Sequence, residues 1–196
     1  MPELGNRVLM GGCSDGLAAQ VLAEEGFEPT GYDYSSEMVK ASRKRLARLG
    51  LHGAFYQGDA TDLDLELYPD NYAGATFIHV ANCIPIAGEN DDLLRKALLD
   101  LSSRAPEGPL YVPTTYYPDP VHRRMLELED KKIGVVPYYF RPVERFKEIL
   151  GQVGRVLLRS EHFDAALADE KDPGYGDHYI NDYLLFGPES PDQSPA

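Results

Sequence analysis

The stretch that decides the fold is Arg7-Val8-Leu9-Met10-Gly11-Gly12-Cys13-Ser14-Asp15-Gly16, near the start of the chain. Its apolar first half predicts a strand over 7–10, its glycines predict a turn, and 17–25 has the composition of a helix. A strand that enters a helix through such a turn presents backbone N–H groups and a helix N-terminus to a bound anion or nucleotide. Later residues should complete that site.

Strand and helix patterns alternate through the sequence that follows. Apolar runs predict further strands at 27–33, 54–57, 75–81, 110–112, 156–158 and 183–186. Helices are predicted between them, the first with Leu17, Val21 and Leu22 on one face, and the second with a buried seam of Met38, Ser42, Leu46 and Leu49. Further helices are expected from Asp91, from about 121 to 132, and from Pro142. This alternation predicts an α/β fold with a parallel sheet that is doubly wound, with helices on both faces.

Length and charge limit the architecture and the partners. A chain of 196 residues is long enough for one α/β domain with a core, which we expect over 1–187, followed by a flexible tail at 188–196. The formal net charge of −13 disfavours nucleic acid and anionic membranes as partners. The local basic cluster of Arg43, Lys44, Arg45 and Arg48 has helical spacing and is read as a solvated helix face.

The two cysteines, Cys13 and Cys83, lack the spacing of a metal site or a disulfide framework. The sequence also has no signal-peptide pattern and no apolar run of membrane-spanning length. We therefore expect a soluble cytoplasmic protein without a bound metal.

Three predicted strand ends meet at one edge of such a sheet: the turn 12–16, Asp33 and Asp59. Glycines in the turn let the backbone approach a ligand closely. The carboxylate of Asp33 is suited to accept hydrogen bonds from the two hydroxyls of a ribose. Asp59 is suited to accept from an exocyclic amine, with the Ala60 N–H donating to a ring nitrogen. These residue types in this order describe an adenosine site.

These motifs resemble those of the class I S-adenosylmethionine-dependent methyltransferases. The stretch 8–16 is similar to the first motif of that family, 31–38 to the second and 58–60 to the third. The resemblance implies S-adenosylmethionine as cofactor and a seven-stranded, mostly parallel sheet of order 3-2-1-4-5-7-6, whose last strand is antiparallel, with a small insertion after strand five. It assigns cofactor binding to Gly12, Cys13, Ser14, Gly16, Asp33, Tyr34, Met38, Asp59 and Ala60.

Two residues depart from the family pattern. Met10 stands where the family has an acid, and losing that carboxylate would remove about 1.5–3 kcal/mol of hydrogen bonding. Ser14 stands where the family has its middle glycine, and serine fits this position if its φ is negative. A nicotinamide dinucleotide site is the runner-up interpretation, but Cys13 occupies the second glycine position of that motif, where the pyrophosphate must approach.

The acceptor side is predicted at the end of strand four (82–85) and in the insertion at 113–141, which we expect to cap the substrate. Catalytic candidates are Asn82, Tyr116 and His122. Asn82 is equally suited to cap a loop, His178 is a second candidate base, and His79 is read as a packing residue. Paired tyrosines at 116–117 and 138–139 favour a small-molecule acceptor with a planar or apolar part, although core packing explains them equally well. The alternative function is a methyltransferase-like binding protein with weak or no catalysis. A homodimer is compatible with either function.

Overall fold

The computed structural model describes residues 5–69, 71–78, 80–86, 91–116, 141–166 and 178–189. Seven strands lie in these ranges: β1 (Arg7–Gly11), β2 (Glu28–Asp33), β3 (Ala54–Gln57), β4 (Gly74–Phe77), β5 (Leu110–Tyr116), β6 (Arg155–Ala166) and β7 (His178–Pro188). The helices are α1 (Leu17–Glu24), α2 (Ser36–Arg48), α3 (Asp92–Arg104) and α4 (Val143–Gly151), and short 3₁₀ turns lie at Leu65–Leu67 and Ala81–Cys83.

All seven strands form one sheet of order β3-β2-β1-β4-β5-β7-β6. The five strands from β3 to β5 are parallel, whereas β7 is antiparallel to both of its neighbours. The predicted class and strand order are therefore confirmed. Because β1, β2 and β4 run in the same direction, the loops that follow them meet at one edge of the sheet.

The core has two layers, one on each face of the sheet. On one face α3 and α4 pack on the strands through Leu94, Leu98, Leu101, Phe146 and Ile149, all of which are buried. On the other face α1 and α2 cover Met10, Cys13 and Phe55. Helices on both faces of a parallel sheet explain why the central strands read as continuous apolar runs.

The helix faces differ in detail from the prediction. In α2 the buried residues are Val39, Ser42 and Leu46, while the predicted Met38 and Leu49 are 38% and 44% exposed. The reason is geometric, because Val39 lies one turn before Ser42 on the same stripe, and the helix ends before Leu49.

The buried side of α1 also departs from the prediction. Ala19 is the buried residue and Leu22 is partly buried, whereas Leu17 and Val21 are more than half exposed.

Two strands end at other positions than predicted. β4 stops at Phe77 rather than at 81, at the level where its neighbour β1 ends with Gly11, the partner of Phe77. β5 continues past Val112 to Tyr116, which takes the first residues of the predicted insertion. Pro113 is accommodated because β5 pairs with β4 only as far as Tyr111 and with β7 alone beyond it.

The C-terminal elements are longer than expected. β6 and β7 form a twelve-residue and an eleven-residue strand, and Pro188 belongs to β7 rather than to a tail. Pro142 caps α4 instead of lying inside its first turn. The predicted helix at 121–132, the tyrosines at 117 and 138–139, and 190–196 lie outside the described residues.

Candidate functional site

The loop between β1 and α1 requires glycine at two positions. Gly12 has φ +71°, and a Cβ there would lie 2.2 Å from Cγ2 of Val80. Gly16 has φ +84°, and a Cβ there would lie 2.7 Å from Cα of Ser42. The turn therefore packs directly against the chain after β4 and against α2, as a site built on close backbone approach requires.

Ser14 lies in the left-handed region, with φ +50°. The condition under which serine fits this position without strain, a negative φ, is therefore not met, and the serine keeps the backbone that a glycine would adopt. This conformation costs about 1–2 kcal/mol for a residue with a Cβ. Two contacts hold it: the Ser14 N–H donates to Oδ2 of Asp33 at 2.9 Å, and Oγ of Ser42 donates to the Ser14 carbonyl at 2.7 Å.

Met10 is fully buried among the residues beneath α1 and α2 and faces the core. Neighbouring elements supply the contacts that order the loop. The N–H groups of Gly12 and Cys13 both donate to the carbonyl of Tyr32 at 2.9 Å. Arg45 of α2 donates through Nε to the carbonyl of Asp15 at 2.9 Å and pairs with its carboxylate. β2 and α2 thus hold the loop.

Asp33 ends β2 beside this loop. Its Oδ1 accepts from the Ser35 N–H and its Oδ2 from the Ser14 N–H, both at 2.9 Å. Each carboxylate oxygen has two acceptor sites, so both oxygens can still accept a hydroxyl. The backbone fixes the orientation of the carboxylate, which is the preorganisation that recognition of a diol requires.

Asp59 follows β3 and is exposed. Its Oδ1 accepts from the N–H and the Oγ1 of Thr61, both at 2.8 Å, so the carboxylate closes a local turn. Its Oδ2 has no hydrogen-bond partner among the described residues and is open to a ligand donor. Ala60, beside it, is 9% exposed.

These strand ends surround a cavity of about 820 Å³, within the range of small-molecule sites. One end is polar and includes Ser14, Asp33, Ser35, Asp59 and Thr61. The other end is formed by α1, the chain after β4, and the start of α3. Its lining residues are apolar apart from one thiol: Leu17, Ala18, Ile78, Val80, Cys83, Ile84, Pro85 and Leu93.

Seven of the nine predicted cofactor residues line this cavity: Gly12, Cys13, Ser14, Asp33, Tyr34, Asp59 and Ala60. Gly16 and Met38 do not border it. The Gly16 N–H closes the turn on the Cys13 carbonyl, and Sδ of Met38 lies 3.9 Å from Oγ of Ser14, outside the lining. The sequence pattern missed the apolar contributions of Leu17 and Leu93, which carry no polar motif.

The catalytic candidates are placed differently. Asn82 is 1% exposed, its Oδ1 accepts from Oγ1 of Thr114 at 3.2 Å, and it does not line the cavity. The side chain of Asn82 is thus buried against β5, away from the cavity lining, and its loop-capping role stays a prediction. The backbone of Tyr116 ends β5 opposite Ile180, while His122 lies outside the described residues.

Both cysteines contribute to the cavity wall. Burial, partly offset by the hydrogen bond from Ser42, raises the pKa of the Cys13 thiol to about 11. Desolvation, with a smaller contribution from Asp33, also raises the pKa of Cys83. Both thiols are therefore protonated at neutral pH and act as neutral wall groups.

The described ranges contain neither a membrane-spanning helix nor a cluster of metal ligands. None of the helices there has the length and apolar character needed to cross a membrane. Across the same ranges, no three His, Cys, Asp or Glu side chains are grouped so that they could hold a metal ion.

Residues 8–98 match a family model described as a methyltransferase domain. No curated protein matches the sequence.

One similar solved structure is magnesium protoporphyrin IX methyltransferase from Synechocystis PCC 6803 with bound S-adenosylhomocysteine. It is 18% identical, the match covers 95% of this chain and 75% of that chain, and the TM-score is 0.68. A S-adenosylmethionine-dependent methyltransferase from Methanosarcina mazei is 14% identical over 95% and 94%, with a TM-score of 0.67. A chain of a complex that contains the Haloferax volcanii Trm112 methyltransferase activator is 18% identical over 97% and 86%, with a TM-score of 0.69. These likenesses show a shared fold.

Proposed function

We propose, from the match of residues 8–98 to a methyltransferase domain model, that this chain is a class I S-adenosylmethionine-dependent methyltransferase that acts on a small molecule. The observation that carries the proposal is the division of one cavity into a polar end with two oriented carboxylates and an apolar end. The first suits an adenosine and the second suits an uncharged acceptor.

The residues present fit the cofactor. Asp33, held by two backbone N–H groups, would accept from the ribose hydroxyls, and Asp59 would accept from the adenine amine through its open oxygen. The loop 12–16 would lie along the methionine part, since Gly12, Cys13, Ser14 and Asp15 of this loop line the cavity. Bound in this way, the cofactor supplies an electrophilic methyl group on a sulfonium.

The protein's part in the reaction is alignment. The main barrier to in-line attack on an activated methyl group is the entropy lost when the nucleophile is oriented. Fixed cavity walls reduce this loss in the reaction step. The described apolar wall around Val80, Ile84 and Leu93 would exclude water and orient the acceptor. We propose that the part of 113–141 that follows β5 completes this wall as a cap, and that Tyr116, at the end of β5, and His122 contribute polar groups there.

Charge supports a small acceptor over a nucleic acid. The net charge of −13 repels a polyanion, and α2 already uses part of its basic cluster internally. Arg45 pairs with Asp15, and Arg43 donates to the carbonyl of Phe55. An acceptor with an apolar or planar part fits the cavity wall.

Isothermal titration with S-adenosylhomocysteine tests the proposal. We expect the wild-type protein to bind it and Asp33→Ala to lose at least a hundredfold in affinity, because the ribose acceptor disappears. Asp62→Ala, an equal charge change at an exposed residue near Asp59, should bind within twofold of wild type. No binding at millimolar ligand, or an unchanged affinity of Asp33→Ala, would contradict the proposed site.

A methyltransferase-like binding protein with weak catalysis is the second candidate, favoured by the buried Met10 and the strained Ser14. The two functions differ in turnover. Transfer of a labelled methyl group from S-adenosylmethionine to any member of a small-molecule extract supports the enzyme, whereas tight cofactor binding with no transfer supports the binding protein.

A further inference from the structure

A single guanidinium connects three segments beside the apolar end of the cavity. Arg141, 3% exposed, precedes α4, and its Nε and Nη2 both donate to the carboxylate of Asp91, the Nη2 bond to Oδ1 being 2.8 Å. Its Nη1 donates to the carbonyl of Ala81 at 2.6 Å, and its Nη2 also donates to the carbonyl of Ile84 at 2.8 Å. A planar fork with this many fixed donors is a property of arginine that lysine lacks.

The groups that Arg141 binds belong to the cavity wall. Ala81 and Ile84 bracket the 3₁₀ turn that carries Cys83, and both Cys83 and Ile84 line the cavity. Asp91 immediately precedes α3, where Leu93 lines the same end. Through one side chain, the turn after β4 and the start of α3 are held at a fixed separation.

Asp91 itself is held in an unfavourable backbone conformation. It has φ +53° and is 4% exposed, and its carbonyl accepts the first bond of α3 from the Arg95 N–H at 2.9 Å. A buried ion pair loses much of its Coulomb energy to desolvation, so it is weak evidence for stability. Its effect here is to fix the position of the start of α3 relative to the turn after β4.

We propose that Arg141 is a positioning residue that fixes the acceptor-side wall of the cavity through Asp91 and the carbonyls of Ala81 and Ile84. That this wall faces a methyl acceptor rests on the proposed function. Arg141 itself is assigned no contact with substrate. The polar end is held by separate contacts of β2 and α2. Loss of the Arg141 guanidinium should therefore loosen the apolar end and leave the polar end unchanged.

The chain offers a matched control in Arg155, which is 4% exposed. Its Nη1 donates to the carbonyl of Gly108, its Nη2 donates to the carbonyls of Ser102 and Ala105, and its Nε donates to Oγ of Ser102 at 3.0 Å. None of these partners lines the cavity. Both Arg141→Lys and Arg155→Lys therefore remove a buried guanidinium with several hydrogen bonds. Arg141 lies at the cavity wall, whereas Arg155 lies away from it.

Amide hydrogen exchange of the full chain, read by mass spectrometry on peptides covering 80–86 and 91–96, tests the proposal. We expect Arg141→Lys to speed exchange in both peptides at least tenfold, including the Cys83 N–H that donates to the Val80 carbonyl at 2.9 Å. Arg155→Lys should leave them within twofold of wild type. The dissociation constant for S-adenosylhomocysteine should change less than threefold in Arg141→Lys.

Unchanged exchange in Arg141→Lys, or an equal increase in Arg155→Lys, would overturn the positioning role. If Arg141→Lys does not fold, Asp91→Asn replaces it, since the amide keeps the shape of the side chain and removes its charge. The same faster exchange is expected in both peptides, and wild-type rates would overturn the role. Failure of the wild-type protein to bind S-adenosylhomocysteine would count against the proposed function alone, because the exchange comparison is made without ligand.

Discussion

The backbone N–H of Ser14 donates to Oδ2 of Asp33 at 2.9 Å, so the acid that ends β2 also holds the left-handed turn after β1. The other oxygen of Asp33 holds the Ser35 N–H, which leads into α2. One carboxylate therefore joins the loop, the strand and the helix that form the polar end of the cavity. Changes in the loop should consequently affect both stability and ligand affinity.

Replacing Ser14 by glycine should stabilise the protein. Serine at φ +50° costs about 1–2 kcal/mol, while glycine raises the entropy of the unfolded chain by a smaller amount, about 0.4–1 kcal/mol. The expected net gain is about 0.5–1 kcal/mol, seen as a rise of a few degrees in Tm by calorimetry.

Ser35→Gly is the matched control, because Ser35 has φ −81° and its Oγ accepts from the Met38 N–H as the cap of α2. That variant should lose a few tenths of a kcal/mol. Equal changes in Tm for the two variants would show that the left-handed conformation of Ser14 is not the source of strain.

Removing the hydroxyl of Ser42 should loosen the loop from the opposite side. Ser42 is fully buried, and its Oγ donates to the Ser14 carbonyl at 2.7 Å. Ser42→Ala leaves that carbonyl without this donor, which should cost about 1–3 kcal/mol of unfolding free energy. We also expect a several-fold weaker affinity for S-adenosylhomocysteine.

Urea denaturation measures the loss, with Ser103→Ala as control. The Oγ of Ser103 also donates to a carbonyl at 2.7 Å, that of Asp100, but the residue is exposed on α3, so water replaces the bond. A loss in Ser103→Ala as large as that in Ser42→Ala would contradict the importance of burial at Ser42.

The fold and the polar end of the site were predictable because their signals are local. A glycine turn lies between a strand and a helix, and an acid lies at or just after the end of each of two strands. These signals fix Asp33 and Asp59 at one edge once the strands are parallel. Helix faces were less predictable, since the one-residue difference between Met38 and Val39 depends on how α2 sits on the sheet.

The apolar end was only partly predictable: the sequence indicated 82–85, but neither Leu93 nor the contacts of Arg141, for two physical reasons. Arg141 and Asp91 are fifty residues apart, and no periodic pattern relates them. The orientation of Asn82 depends on its contact with Thr114, which only the pairing of β5 beside β4 brings close. Such tertiary contacts have no local signature.

The Cys13 thiol should make stability depend on alkaline pH. Its pKa rises from 9.0 to about 11 in the folded protein, mainly through burial. Between these values the unfolded chain releases a proton that the folded chain retains, so this contribution is complete below pH 9 and lost as the pH approaches 11. Burial raises the pKa of Tyr32 and Tyr68 as well, and these add to the fall.

Urea denaturation of wild type and Cys13→Ala at pH 8, 9, 10 and 11 separates the contribution of the thiol. The variant should lose less stability than wild type between pH 9 and 11, because the thiol contribution is removed while burial still raises the pKa of both tyrosines. Identical slopes in the two proteins would show that Cys13 does not titrate differently in the folded state.

A methyl group at Gly12 should damage the site more than the same group elsewhere. Gly12 and Gly26 share a positive φ, +71° and +86°, so alanine costs about 1–2 kcal/mol of backbone strain at either position. They differ in surroundings, because a Cβ at Gly12 would lie 2.2 Å from Cγ2 of Val80, whereas nothing lies within 4 Å at Gly26. Gly12→Ala should therefore lose stability beyond the loss in Gly26→Ala.

Ligand affinity distinguishes the two glycines further. Gly12 and Val80 both line the cavity, so the clash must displace one wall or the other, and Gly12→Ala should weaken S-adenosylhomocysteine binding at least tenfold. Gly26→Ala should bind as wild type does. Adding Val80→Ala removes the side chain that collides and should recover part of the lost stability in Gly12→Ala. A double variant no more stable than Gly12→Ala would show that backbone strain, and not the contact with Val80, requires glycine at this position.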